Sequence, residues 1–194
     1  MEPWFYRFAR PILKVFISLY RPKIIGRENI PKDGRVVLAG NHTNYLDCVL
    51  LISSTKRTVH FLAKDALSKG PLSIIFNNMG IIPVNRKIKD KHALEMAIKA
   101  LNEDKVIGIF PEGTINRTND IIMPFKIGAV KMAHDTNSKI VPFSITGKYK
   151  LFGGNIKIIF DKPIEVKDEV LDNDNNILME KVKSLIIEGR GKNE

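Results

Sequence analysis

A chain of 194 residues, 44% of them hydrophobic, is long enough to bury one sizeable core and too short for a second full domain. Its Lys and Arg outnumber Asp and Glu 31 to 21, and the net charge of +10 favours an anionic partner: nucleic acid, an anionic membrane or a phosphorylated substrate. One cysteine, Cys48, excludes an intrachain disulfide and any cysteine-built metal site, and points to a reducing, cytoplasmic setting.

In chain order, Trp4 to Tyr20 comes first, rich in aromatic and aliphatic side chains but interrupted by Arg7, Arg10 and Lys14. Those charges, and the lack of a small-residue cleavage site, argue against a secretion signal. No run of about 18 uncharged apolar residues exists, so no ordinary spanning helix is expected. On a helical wheel Arg7, Arg10, Lys14 and Arg21 share an arc of roughly 60°, with Phe5, Phe8, Ile12, Phe16 and Leu19 opposite. That pattern suits an interfacial helix, with basic heads at lipid phosphates and the aromatic face in the upper acyl region. Packing of the stripe on the protein's own core stays open beside it, and Pro11 is expected to kink or restart the helix. Residues 1–25 therefore read as a membrane-interface arm and 26–194 as the main domain.

After a linker at Pro22–Gly34, buried apolar runs predict strands at Arg35–Ala39, Val59–Ala63, Ile81–Val84, Val106–Phe110, Ile140–Ile145 and Ile156–Phe160. Helical patterns at Cys48–Ser53, Ala66–Asn78, Lys91–Glu103, Ile127–Asp135 and Ile177–Glu188 alternate with them, and Asp172–Asn176 reads as a polar loop. The alternation predicts an α/β fold, a mostly parallel sheet flanked by helices. In such sheets ligands sit beyond the carboxyl ends of strands. Gly40–Asp47, Asn85–Lys87 and Pro111–Thr114 each follow a predicted strand.

Within the first of these, Asn41-His42-Thr43-Asn44-Tyr45-Leu46-Asp47 carries a histidine and an aspartate five positions apart. On a helix such positions diverge by about 140°, whereas a strand-to-helix turn lets them meet. Asp47 would then fix the tautomer of His42 and leave its other ring nitrogen to take a proton. With no serine or usable cysteine in the local spacing, the attacking group is most simply a substrate hydroxyl. A helix cap at Asp47 and a satisfied buried histidine remain open for this pair alone. Phe110-Pro111-Glu112-Gly113-Thr114 then puts a carboxylate, a glycine and a hydroxyl at the same end of the sheet.

Four blocks in order make the chain resemble the 1-acylglycerol-3-phosphate acyltransferases, within the wider glycerolipid acyltransferase group. They are His42-x4-Asp47, Gly80-Ile81-Ile82-Pro83-Val84-Asn85-Arg86, Phe110-Pro111-Glu112-Gly113-Thr114 and Ile140-Val141-Pro142-Phe143-Ser144. Phe61-Leu62-Ala63-Lys64 and Phe125-Lys126-Ile127-Gly128-Ala129 look like familiar linking segments. The resemblance implies a glycerol-3-phosphate acyltransferase-like fold and transfer of a fatty acyl group to the sn-2 hydroxyl of lysophosphatidate, giving phosphatidate. It assigns His42 and Asp47 to catalysis, and Lys64, Arg86, Glu112, Gly113, Thr114 and Asn44 to substrate binding. It implies acyl-coenzyme A or acyl carrier protein as co-substrate donor, with no cofactor and no metal, while the lack of an aromatic-interleaved basic run or a recognisable binding motif argues against a nucleic-acid partner. The expected place is peripheral or monotopic on the cytoplasmic face of the cell membrane. Oxyanion stabilisation is expected from backbone N–H groups near the following helix or around Gly113.

One departure concerns the residue after Pro-Glu-Gly-Thr, commonly arginine in relatives but Ile115 here, with Arg117 two positions on. Arg86, whose guanidinium fork suits paired phosphate oxygens, is the expected phosphate contact. An acyltransferase acting on glycerol-3-phosphate or another lysolipid stays open, as does a non-catalytic basic membrane-binding protein.

Overall fold

A computed structural model describes residues 4–64, 80–85, 90–167 and 170–191. The expected helix at Ala66–Asn78 lies wholly outside these residues, and so does Arg86. Seven strands form one sheet: β1 (Lys23–Ile25), β2 (Val36–Gly40), β3 (Val59–Lys64), β4 (Ile82–Val84), β5 (Val106–Ile109), β6 (Lys139–Thr146) and β7 (Lys157–Phe160). Their spatial order is β1-β7-β6-β2-β5-β3-β4, and every pairing is parallel except β6 with β7. Around the sheet lie α1 (Trp4–Ser18), α2 (Asp47–Ser54), α3 (Lys91–Asn102), α4 (Gly128–Thr136) and α5 (Leu171–Arg190).

Side-chain alternation along the buried central strand builds two hydrophobic layers. Val36 and Leu38 of β2 join Tyr6, Ile17, Leu50 and Leu51 of α1 and α2 on one face. Val37 and Ala39 join Ala97 of α3, Val130 of α4 and Val182 of α5 on the other. Five parallel strands thus end along one edge, and β2 marks the point where chain connections diverge. From β2 the next strand lies beyond β5 on one side, while β6 lies against the other. The carboxyl end of β2 is thus the topological switch point, the place where α/β sheets bind their ligands.

Two expectations need correction. The Pro22–Gly34 segment contains β1, a three-residue edge strand paired with β7, and a short 3-10 turn at Arg27–Asn29. So brief a strand offers no periodicity to detect. Asp172–Asn176, expected as a polar loop, forms the first turns of α5. There Asp172 and Asp174 complement the positive end of the helix dipole, and Asn175 donates to the carbonyl of Phe125 at 3.0 Å. Tertiary hydrogen bonds thus override a loop-like composition.

The α1 helix forms where expected and runs through Pro11 without restarting. It divides its surface three ways. Tyr6 and Ile17 are buried in the core, and the Tyr6 hydroxyl accepts the N–H of Val59 at 3.1 Å. Arg10, expected at lipid phosphates, donates instead to the carbonyls of Thr55 and Lys56 in the segment that follows α2, while Arg27 takes the carbonyls of Ser53 and Ser54 in its last turn. Phe8, Ile12, Val15, Phe16 and Leu19 stay exposed. Among the described residues no helix is long and apolar enough to cross a membrane.

Candidate active site

At Gly40 the backbone of β2 leaves the sheet, and the next side chain replaces the missing ladder. The Asn41 amide donates to the Ile145 carbonyl at 2.9 Å and accepts its N–H at 2.7 Å, so β6 stays paired while the main chain turns away. This fixes where His42 begins. The Gly40 hydrogen faces Phe143 so closely that an added Cβ would lie 2.3 Å from its carbonyl oxygen.

The following turn brings His42 and Asp47 together as the spacing predicts. Nδ1 of His42 lies 2.9 Å from Oδ2 of Asp47, whose side chain is fully buried while the imidazole keeps 13% of its surface. The same Oδ2 accepts the N–H groups of Thr43 at 2.6 Å and Asn44 at 2.8 Å. An oxygen that already accepts those donors requires the proton on Nδ1, leaving Nε2 as the basic nitrogen of the neutral ring. Asp47 opens α2, and its carboxylate gathers the turn as well as orienting the histidine. Phe110 stacks on the imidazole, with centroids 4.1 Å apart and an interplanar angle of 14°.

Two further groups complete this cluster. From the end of β5, Glu112 reaches across so that Oε1 accepts the His42 N–H at 2.8 Å and Oε2 accepts the Met123 N–H at 2.9 Å. The His42 carbonyl in turn accepts the Asn116 N–H at 2.8 Å. Burial raises the pKa of Glu112 above the usual carboxylate range, opposed by the two backbone donors. From the loop after β6, the Tyr149 hydroxyl donates to Oδ1 of Asp47 at 2.7 Å. Burial and the adjacent carboxylate drive its pKa far upward, so it remains a donor.

Other expected site residues distribute along the same edge. Asn44 supplies an N–H to Asp47 and accepts the Leu46 N–H on its own Oδ1 at 3.1 Å, which makes it a turn former. Gly113 has φ of 73°, the left-handed region, and its N–H closes onto the Phe110 carbonyl at 2.9 Å. Thr114 is exposed beyond it. The N–H groups of Thr43, Asn44 and Gly113 are therefore spent within the fold. Lys64 ends β3 in register with Val84 of β4, exposed and two strand positions, about 10 Å, from β2. Lys126 brings its ammonium to within 2.8 Å of where a Gly113 Cβ would stand. Cys48 packs half-buried against the α1–α2 layer. Among the described residues no cluster could hold a metal ion.

Tyr149 and the pairing role of Asn41 escape linear reading. Tyr149 meets Asp47 across 102 positions, and its only sequence signal is its place after a predicted strand.

Fold and site together define a class: an α/β enzyme with an oriented histidine at the carboxyl edge of its sheet. The family model described as Acyltransferase matches residues 21–146, and the chain belongs to that family. It is 39% identical over 162 residues to the 1-acyl-sn-glycerol-3-phosphate acyltransferase of Borreliella burgdorferi, covering 81% of this chain and 64% of that protein. It is 30% identical over 170 residues to the protein of the same name from Bacillus subtilis, covering 84% of each. The crystal structure of the 1-acyl-sn-glycerophosphate acyltransferase PlsC from Thermotoga maritima shares the fold. Its TM-score is 0.77 at 22% identity, over 97% of this chain and 84% of that one.

Proposed function

We propose that the protein transfers a fatty acyl group from a thioester donor to the sn-2 hydroxyl of 1-acylglycerol-3-phosphate, with His42 as general base. One observation carries this reading: the 2.9 Å contact that commits Nδ1 of His42 to Asp47 and leaves Nε2 for a substrate proton. In the step, Nε2 takes the proton of the acceptor hydroxyl as its oxygen attacks the thioester carbonyl. The C–S bond breaks, and the imidazolium returns the proton to the departing thiolate. The histidine ends neutral, and no acyl-enzyme forms. Asp47 stabilises the imidazolium in between. The names of the Borreliella and Bacillus relatives support lysophosphatidate as acceptor.

In this reading Glu112 and Tyr149 position the pair rather than touch the acceptor, because their oxygens are turned onto His42 N–H, Met123 N–H and Asp47. Lys64, at the end of β3, and Arg86 take the acceptor's phosphate, and Lys126 over Gly113 adds a third cation. The donor is acyl-coenzyme A or acyl carrier protein, a thioester in either case. The exposed stripe of α1 holds the protein on an anionic bilayer, on the cytoplasmic face.

The test is turnover by purified protein, with mass-spectrometric identification of products. Acceptors are lysophosphatidate, glycerol-3-phosphate and lysophosphatidylcholine, each offered with both donor types. Phosphatidate formation from lysophosphatidate alone supports the reading. Acylation of only the other acceptors would reassign the substrate, and no turnover with any of them would remove the catalytic reading.

A further inference from the structure

The loop between β6 and β7 touches the end of α1 and the catalytic pair at once. Its Phe152 N–H donates to the Leu19 carbonyl at 2.8 Å, and the Tyr149 ring meets Tyr20 edge-on at 5.8 Å. Between these anchors Leu151 and Phe152 remain 49% and 60% exposed. Phe152 also has φ of 60°, a left-handed backbone that an aromatic side chain rarely adopts. Gly153 and Gly154 follow directly and could carry that conformation without strain. The fold instead holds a bulky apolar side chain outward at this point. Strain kept in place by surrounding contacts marks a functional position.

Charge identifies the surface that this loop meets. Lys148 and Lys150 precede the apolar pair and are exposed. No Asp or Glu occurs from Pro3 to Arg27 or from Ser138 to Phe160, the two segments that form this face. Exposed Phe16 of α1 and Leu19 just past its end lie next to the loop, so the apolar strip continues from the helix onto it. An apolar strip on segments that carry cations and no acidic residue fits an anionic bilayer, with side chains entering the acyl boundary and ammonium groups at phosphates.

We propose that Lys150-Leu151-Phe152 is a second lipid-contacting element, inserted beside α1 into an anionic membrane surface. It rests on the membrane reading of α1 and extends it in one respect. The loop starts at the carboxyl end of β6, two residues from the Tyr149 that holds Asp47. Lipid contact therefore reaches the edge of the sheet where His42 stands, and the acceptor's hydroxyl need not leave the interface to meet its base.

The experiment uses the full chain with Leu151→Gln and Phe152→Asn combined, asparagine being tolerant of left-handed φ. Binding is read by sedimentation with vesicles containing about 30% anionic lipid. The expected result is about a tenfold loss of vesicle affinity with no fall in thermal midpoint. A parallel variant, Phe8→Gln with Ile12→Gln, tests α1 by itself. Wild-type affinity in the loop variant, with release of the α1 variant, would overturn the loop proposal and leave the arm reading intact. Unchanged affinity in both would remove both. Should the loop variant fold poorly, Phe152→Trp in a Trp4→Phe background gives a second reading. A blue shift with vesicles supports insertion, and an unshifted spectrum on vesicle-bound protein opposes it. A dimer that dissolves in the loop variant, with vesicle affinity unchanged, would assign the face to a second copy of the chain and overturn the proposal.

Discussion

Tyr149→Phe removes one hydroxyl and leaves the ring against Tyr20, so its effect isolates a single hydrogen bond. Oδ2 of Asp47 keeps three donors, from His42, Thr43 and Asn44. Oδ1 has only Tyr149 at 2.7 Å and the Thr43 hydroxyl at 3.2 Å, so without the phenol it retains one long bond. A hydrogen bond to a charged group contributes about 1.5–3 kcal/mol, and the half-buried setting of Tyr149 favours the lower end. The expected loss is therefore about 1.5 kcal/mol by urea denaturation, or about 3–6 °C in thermal midpoint for a chain of this size. Freed on one side, Asp47 tilts and with it the imidazole. Because Oδ2 still holds the turn, the displacement is small, and kcat should fall about three- to tenfold with KM unchanged. Equal stability and equal kcat in the variant would show that this hydrogen bond neither holds nor aims Asp47.

Two other substitutions test the supports of the site. Asn41→Ala deletes both bonds to Ile145 and leaves a buried N–H and carbonyl unpaired, so stability should drop by about 2–4 kcal/mol in equilibrium unfolding. A drop under about 0.5 kcal/mol would mean that the ladder does not depend on this side chain. Glu112→Gln turns an amide NH2 toward one of two N–H donors and should cost about 2 kcal/mol. Its pH dependence has a definite sign. The folded pKa of Glu112 is raised above its ordinary 4.5, so the native state binds a proton more tightly than the unfolded chain. The resulting stabilisation is fully present below that ordinary value and is lost as pH rises through the raised one. The wild type's stability relative to Glu112→Gln should therefore decline across that window and level off above it. A difference that grows with pH there would reverse the assignment.

Much of this architecture is legible in the chain, and the exceptions share a cause. The central strands β2, β5 and β6 are apolar on both faces, and burial on both sides leaves continuous runs that a linear reading detects. The edge strand β1 has three residues and exists because β7 lies beside it. The early start of α5 depends on Asn175 meeting Phe125, a contact across 50 positions. At the site, His42 and Asp47 are near in sequence and their meeting follows from the turn between strand and helix. Glu112 stands out as a residue, but its direction does not. Its carboxylate looks inward to a backbone N–H, which only the adjacency of β2 and β5 determines. Arg10 gives the opposite lesson. A helical wheel places it among lipid-facing cations, whereas the backbone carbonyls of Thr55 and Lys56, just past α2, draw it inward.

The central claim is that Nε2 of His42 removes the acceptor's proton, and kcat of purified His42→Ala measures it most directly. Phosphatidate synthesis from lysophosphatidate and an acyl thioester should fall by at least about a thousandfold, within the range that positioned general bases supply. Vesicle affinity should not change, since the His42 imidazole keeps only 13% of its surface and is not among the exposed apolar residues of α1 or the β6–β7 loop. A variant that folds, binds vesicles and retains kcat within about tenfold of wild type would contradict the account.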